Sequence, residues 1–264
     1  MKIKRSVKAG MEALFDLAGV KAYFARKRDK SDMVFFDRNM LSSFYNNNGR
    51  VRLYYDGLKR TKGEWTDNFS KQCRFYGLQE MAGWVLGKEL GGDFAECGCW
   101  RGHSTYIISK ILSDNNFRAS FHVFDSFENG LSDKTPEDEN ERFALSAKEV
   151  AQEKMMFGST EDEVRKVLSD FKFVKLYKGW IPERFKEVEG HAFSFVHIDV
   201  DLYQPTLDSL RFFFPRIVAG GCIVVDDYGF TKFPGSKKAV DTFLSENKCY
   251  LCYELPMGGC FIIK

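Results

Sequence analysis

Residues 93–112 read DFAECGCWRGHSTYIISKIL. The first six, DFAECG, are a short, mostly apolar run ending in a glycine, as a buried strand does. After a loop with a second glycine, the residues from about Gly102 to Leu112 carry the periodicity of a helix. A strand, a glycine turn and a helix in that order form the first half of a parallel crossover unit. Outward from it the alternation continues. A helix around Gln72 to Leu90 precedes it, and the strands SFHVFD, FVKLYKG and FSFVHIDV follow. Then come a helix started by Pro205, a strand CIVVDD, a helix capped by Ser236, and two closing strands joined through PMGG. This order predicts an α/β fold: a mostly parallel seven-stranded sheet with an antiparallel C-terminal hairpin and helices on both faces.

The 264 residues, 44% hydrophobic and 16% aromatic, suffice for one large core and fit a single globular unit. The net charge of +2 argues against a nucleic-acid partner, and the basic excess is confined to residues 1–30, which carry nine Lys or Arg against three acids. No run approaches the roughly 18 apolar residues a membrane span needs, so no transmembrane segment is expected. The apolar positions Val7, Met11, Leu14, Phe15 and Ala18 share one helical face. They predict an amphipathic helix set against the body or a second subunit, hence a possible homo-oligomer, with a membrane-surface anchor as the alternative. An odd count of seven cysteines, two of them inside the glycine motif, suits a reducing cytoplasm. Cys249 and Cys252 form a CxxC in an apparent strand that would turn them to opposite faces, which does not suit zinc.

In open α/β sheets ligands bind at the carboxyl ends of the strands. Those ends carry Glu96 to Gly98, Asp125, Gly179, Asp199, Asp226 and Asp227. The loop Glu96-Cys97-Gly98-Cys99-Trp100-Arg101-Gly102-His103-Ser104 has Trp100 where a dinucleotide pyrophosphate requires a second glycine, so NAD and FAD are disfavoured. A ligand with a carboxylate and an amine suits it better. The helix N-terminus offers N–H groups to the carboxylate, and Glu96 can help hold the amino or sulfonium end. S-adenosylmethionine is such a ligand. Asp125 follows Gly98 by 27 residues at the next strand end, about where these folds grip ribose hydroxyls. Ser104 and Ser126, in the same two loops, are counted with this site.

Asp199 and Asp201 share a face if FSFVHIDVDLY stays extended. They lie beside Asp226 and Asp227 if neighbouring strand ends are about 4.8 Å apart. Carboxylates so crowded raise one another's pKa unless a cation neutralises them, and an all-oxygen set selects a hard ion such as Mg²⁺. Such an ion would acidify a hydroxyl that is otherwise a poor nucleophile, and a carboxylate would take the proton.

AECGCWRGHS, VFDSFENGL, YKGW, FVHIDVDLYQPTLDSLRFFFPRIVAGGCIVVDDYGF and FPGSKKAVDTFL together resemble the macrocin O-methyltransferase family of TylF type, over about residues 76 to 250. The resemblance implies a Rossmann-like class I methyltransferase that uses S-adenosylmethionine and Mg²⁺ on hydroxyls of deoxysugars or related glycosides. The partner would then be a sugar-containing small molecule or glycoconjugate. It implies that Glu96, Gly98 and Gly102 belong to the methionine-end pocket, that Asp125 is the ribose ligand, and that Gly179 and Trp180 belong to the adenine pocket. Asp199, Asp226 and Asp227 resemble the metal ligands. Asp201 resembles the general base, a role Asp199 could share. Residues 76–264 would be the methyltransferase domain and residues 1–75 an N-terminal helical extension, an acceptor cap or oligomer contact. His103 departs from the family, which has a small residue there. Residues 128–157, long and charged, are a candidate lid. A phenolic or catechol acceptor is the nearest alternative; a nucleotide-sugar oxidoreductase or a non-catalytic binding protein is more distant.

Overall fold

The computed structural model describes residues 48–140 and 147–264. The expected N-terminal helix bearing Val7 to Ala18 lies outside the described residues. Helices α1 (Asn48–Arg60) and α2 (Phe69–Gly87) lead into β1 (Asp93–Cys97), α3 (His103–Asp114) and β2 (Phe121–Asp125). There follow α4 (Ala147–Met156), α5 (Glu161–Val167), β3 (Val174–Lys178), β4 (Phe193–Ile198), α6 (Tyr203–Arg216) and β5 (Ile217–Val225). The chain closes with α7 (Pro234–Glu246), β6 (Leu251–Glu254) and β7 (Cys260–Ile263).

Local signals account for the helix starts. The Asn68 side chain accepts the Lys71 N–H at the head of α2, and Thr160 and Glu163 form a reciprocal capping box on α5. Pro205 sits in the first turn of α6, where its missing N–H costs no intrahelical bond. The start of α7 differs from expectation. Pro234 opens that helix, while Ser236 is buried inside it and caps nothing.

The seven strands lie in the order β3-β2-β1-β4-β5-β7-β6. All pairs from β3 to β5 are parallel, and β7 runs antiparallel to both β5 and β6. The chain builds outward from β1 to β3, then returns to lay β4 on the other side of β1, which makes the carboxyl ends of β1 and β4 the switch point. Each face of the sheet has its own core. Phe94, Phe121 and Phe195 meet Leu58, Leu78 and Ile107 from α1, α2 and α3 on one face. On the other, Ala95, Phe124 and Val196 meet Phe213 and Phe243 from α6 and α7. Strands covered on both faces are mostly apolar, as the fully buried β4 is apart from Ser194 and His197.

The expected boundary at residue 75 falls inside α2, and Tyr54 and Leu58 share a core with the central strands. Cys249 precedes β6, so strand alternation does not govern it; it and Cys252 both pack on the second core. All seven cysteines are free thiols. No helix among the described residues is long and apolar enough to cross a membrane.

Candidate active site

Gly98 directly follows β1 with φ +81°, and a Cβ there would overlap the carbonyl oxygen of Asp199, the residue directly after β4. Only glycine lets the two strand ends close together at the switch point. A cavity of about 270 Å³ opens beside them, walled by Gly98, Trp100, Asp125, Ser126, Gly179 and Trp180, with Asp199 and Asp201 at one side. Trp100 lines this cavity, and its indole Nε1 is buried without a hydrogen-bond partner.

Asp125 does more than line the cavity. Its Oδ2 accepts N–H groups from Cys99 at 2.7 Å and Trp100 at 2.9 Å, and its Oδ1 accepts that of Phe127 at 2.6 Å. It thereby holds the glycine loop in shape, and those loop N–H groups are already engaged. Glu96, Gly102 and Ser104 are not in the cavity wall. Glu96 alternates onto the face that α3 covers, where Thr105 donates to one of its oxygens and His197 Nδ1 lies 2.8 Å from the other. Gly102 packs near Val164, and Ser104 is buried in the first turn of α3. These three residues, expected at the cofactor site, thus lie behind the loop and outside the wall of this cavity.

Asp199, Asp226 and Asp227 each offer a carboxylate oxygen, all within 4.8 Å of one another. Asp201 joins them, though not by strand alternation. β4 stops at Ile198, and Asp201 takes a left-handed conformation, φ +60°, from which its N–H donates to Asp227 Oδ2 at 3.2 Å. Burial, then the charges of Asp226 and Asp227, push Asp199 well above the usual carboxylate range. Burial, then Asp227 and Asp226, do the same to Asp201. Burial and Asp226 raise Asp227 to about 6. The cluster is short of positive charge, and its all-oxygen donor set fits a hard divalent cation.

Two cations that sequence reasoning missed face this rim from α2. Arg74 Nη1 lies 2.9 Å from Asp226 Oδ2 and 4.0 Å from Asp227 Oδ1, with its guanidinium 4.5 Å over the Phe230 ring. Burial opposes its charge, yet Asp226 and Asp227 raise its pKa. Lys71, one turn earlier, is lowered to about 8 by burial despite the attraction of Asp199. Nothing local marks these two among 39 Lys and Arg residues.

His103 also has a clear place. Its ring stacks on Phe75 at 4.5 Å and its Nε2 lies 2.9 Å from the Tyr54 carbonyl, joining α1 and α2 to α3. Gly57 makes room for it, since a Cβ there would come within 2.5 Å of the imidazole. Of the expected lid, Leu131, Ser132, Asp133, Thr135 and Phe157 line the cavity. The segment is moored: Asp138 accepts the Tyr203 N–H at 2.8 Å, and Glu153 pairs with Lys134 and Lys232, each at 2.7 Å. Gln204, Pro205 and Asp208 of α6 complete the wall.

Residues 21–251 match the macrocin-O-methyltransferase (TylF) family. The chain belongs to that family. It is therefore an O-methyltransferase that uses S-adenosylmethionine as methyl donor. The TylF-family chain is 25% identical over 204 residues to demethyldecarbamoylnovobiocin O-methyltransferase of Streptomyces niveus, covering 74% of this chain and 75% of that one. It is 27% identical over 166 residues to 8-demethyl-8-(2,3-dimethoxy-alpha-L-rhamnosyl)-tetracenomycin-C 4'-O-methyltransferase of Streptomyces olivaceus, covering 59% and 60% of the two chains. Its fold matches the solved O-methyltransferase NovP with a TM-score of 0.57 at 24% identity, over 72% of this chain and 78% of that one.

Proposed function

We propose that this TylF-family enzyme methylates a hydroxyl of a sugar or glycoside with the help of a hard divalent cation, and that Asp201 is the general base. The observation that carries the reading is the convergence of four acids, with Asp201, Asp226 and Asp227 buried and Asp199 partly so, beside the cavity that Asp199 and Asp201 line. The relative that acts on a rhamnosyl-bearing tetracenomycin supports the sugar acceptor.

In this reading Gly98, Asp125, Ser126, Gly179 and Trp180 bind the S-adenosylmethionine, with Trp100 Nε1 as a further donor. Glu96, Gly102 and Ser104 support the loop. Asp199, Asp226 and Asp227 hold the cation, which supplies the positive charge that lets a hydroxyl ionise near neutral pH. Asp201, buried and left with an unusually high proton affinity, takes the hydroxyl proton, and Asp199 stands close enough to share that role. Methyl transfer is a displacement at carbon, so the larger contribution of the protein is to hold the acceptor oxygen in line with the sulfonium. The segment around Leu131 to Thr135 and Phe157 excludes water and forms the acceptor side. Seven free thiols support a reducing, cytoplasmic setting.

The test is calorimetric titration with S-adenosylmethionine and then Mg²⁺, followed by a methylation screen of deoxysugar glycosides against catechols. Transfer to glycosides that requires Mg²⁺ is the expected result. Transfer to catechols alone would replace the sugar reading, and metal-independent transfer would remove the cation from it.

A further inference from the structure

At the amino ends of the strands, away from the switch point, three side chains form a second cluster that the methyl-transfer site does not use. Asp93 begins β1, His122 lies in β2, and His191 precedes β4. Asp93 Oδ2 is 2.5 Å from His191 Nδ1 and 3.1 Å from His122 Nε2. All three candidate ligand atoms lie within 4.8 Å of one another. We propose that Asp93, His122 and His191 form a zinc-binding site.

The spacing fits that metal. With zinc–ligand bonds of about 2.0–2.2 Å in a tetrahedron, adjacent ligand atoms are about 3.3–3.5 Å apart. The 3.1 Å separation needs almost no change and the 2.5 Å separation needs a modest opening. The outer contacts are those that orient metal ligands. His122 Nδ1 is 2.9 Å from the Tyr177 hydroxyl, and the Ser120 N–H donates to Asp93 Oδ1 at 2.8 Å. When His122 Nε2 gives its lone pair to the metal, its ring proton resides on Nδ1 and is donated to Tyr177.

Two imidazoles and one carboxylate also separate this site from the acid rim chemically. Nitrogen donors prefer zinc, whereas an all-oxygen set prefers Mg²⁺. The His122 side chain is fully buried and that of Asp93 is 14% exposed, while that of His191 is 38% exposed, so the cluster opens to solvent on the His191 side. Water can reach a fourth position there. Bound zinc ties together β1, β2 and the residues entering β4, a structural role independent of the acceptor.

The test uses the full chain, stripped with chelator and kept in excess Mg²⁺ to occupy the acid rim. Zinc is titrated calorimetrically, and Co²⁺ is added separately to read tetrahedral coordination from its visible absorption. One zinc per chain is expected, with a rise in the unfolding midpoint. His191→Ala, at the solvent-facing ligand, weakens zinc binding at least about tenfold and abolishes the midpoint rise, as loss of one ligand from a three-ligand site requires. Asp226→Ala leaves zinc binding unchanged. His191→Gln provides a second variant should the alanine protein unfold. No zinc binding, or zinc binding that survives both His191 variants at the thiols or the acid rim, overturns the proposal.

Discussion

The guanidinium of Arg74 reaches from α2 to within 2.9 Å of the Asp226 carboxylate. A side chain from outside the central strands thus supplies charge to the acids at their carboxyl ends. A buried ion pair is costly to break from one side, because the remaining charge has no solvent to turn to. Removing Arg74 therefore has two consequences of opposite sign. In Arg74→Gln the metal-free protein loses about 3–5 kcal/mol of stability. Asp226 is also released from its competitor, and Mg²⁺ binds more tightly. Urea unfolding in chelator and calorimetry with Mg²⁺ check the two halves; unchanged or weaker Mg²⁺ binding would count against the competition.

Asp201 and Asp226 are expected to fail in different ways. Asp226 lies outside the wall of the cavity proposed to hold the cofactor. Asp226→Asn accordingly loses Mg²⁺ binding but retains S-adenosylmethionine binding. Asp201→Asn retains both ligands and lowers kcat by about 100- to 10,000-fold, the range set by loss of a general base. Calorimetry on each variant beside single-turnover rates separates the two roles.

The acid cluster also gives the metal-free protein a pH signature. Asp227 rises from an unfolded value of about 3.9 to about 6 in the folded chain. Between those values the folded state holds more protons than the unfolded state, so Asp227 favours folding at the low end and the advantage is lost as pH rises through 6. His103 acts oppositely. Burial holds it neutral with a pKa of about 3, so its contribution to stability falls as pH drops below the unfolded imidazole value. The quantity to measure is therefore the stability difference between wild type and Asp227→Asn in chelator from pH 4 to 7. The variant gains relative stability as pH rises, and saturating Mg²⁺ removes or reverses that gain.

Gly98→Ala tests the closeness of the two strand ends. The new methyl group meets the Asp199 carbonyl, and the backbone is held at φ +81°. The strain of an alanine in that conformation alone costs about 1–2 kcal/mol, and separating β1 from β4 adds to it. Lower stability together with weakened S-adenosylmethionine binding is expected; the same change at the exposed Gly190, which has open space around it, leaves both unaltered.

Chain order alone determined the sheet, its antiparallel hairpin and the rim on which Gly98, Asp125, Gly179, Asp199, Asp226 and Asp227 fall. Apolar periodicity and glycine turns are local signals, and the switch-point rule converts their order into a place. Tertiary structure decided which of those residues meet the cavity. Glu96 faces α3 because alternation in β1 gives it the same side as Phe94, and Asp201 joins the acids through a left-handed turn that a strand reading does not foresee. Arg74, Lys71 and the Asp93–His122–His191 cluster were not legible at all. Their partners are remote in sequence, 152 residues away for Arg74 and Asp226 and 98 for Asp93 and His191, and no spacing rule links groups that only the folded sheet brings together.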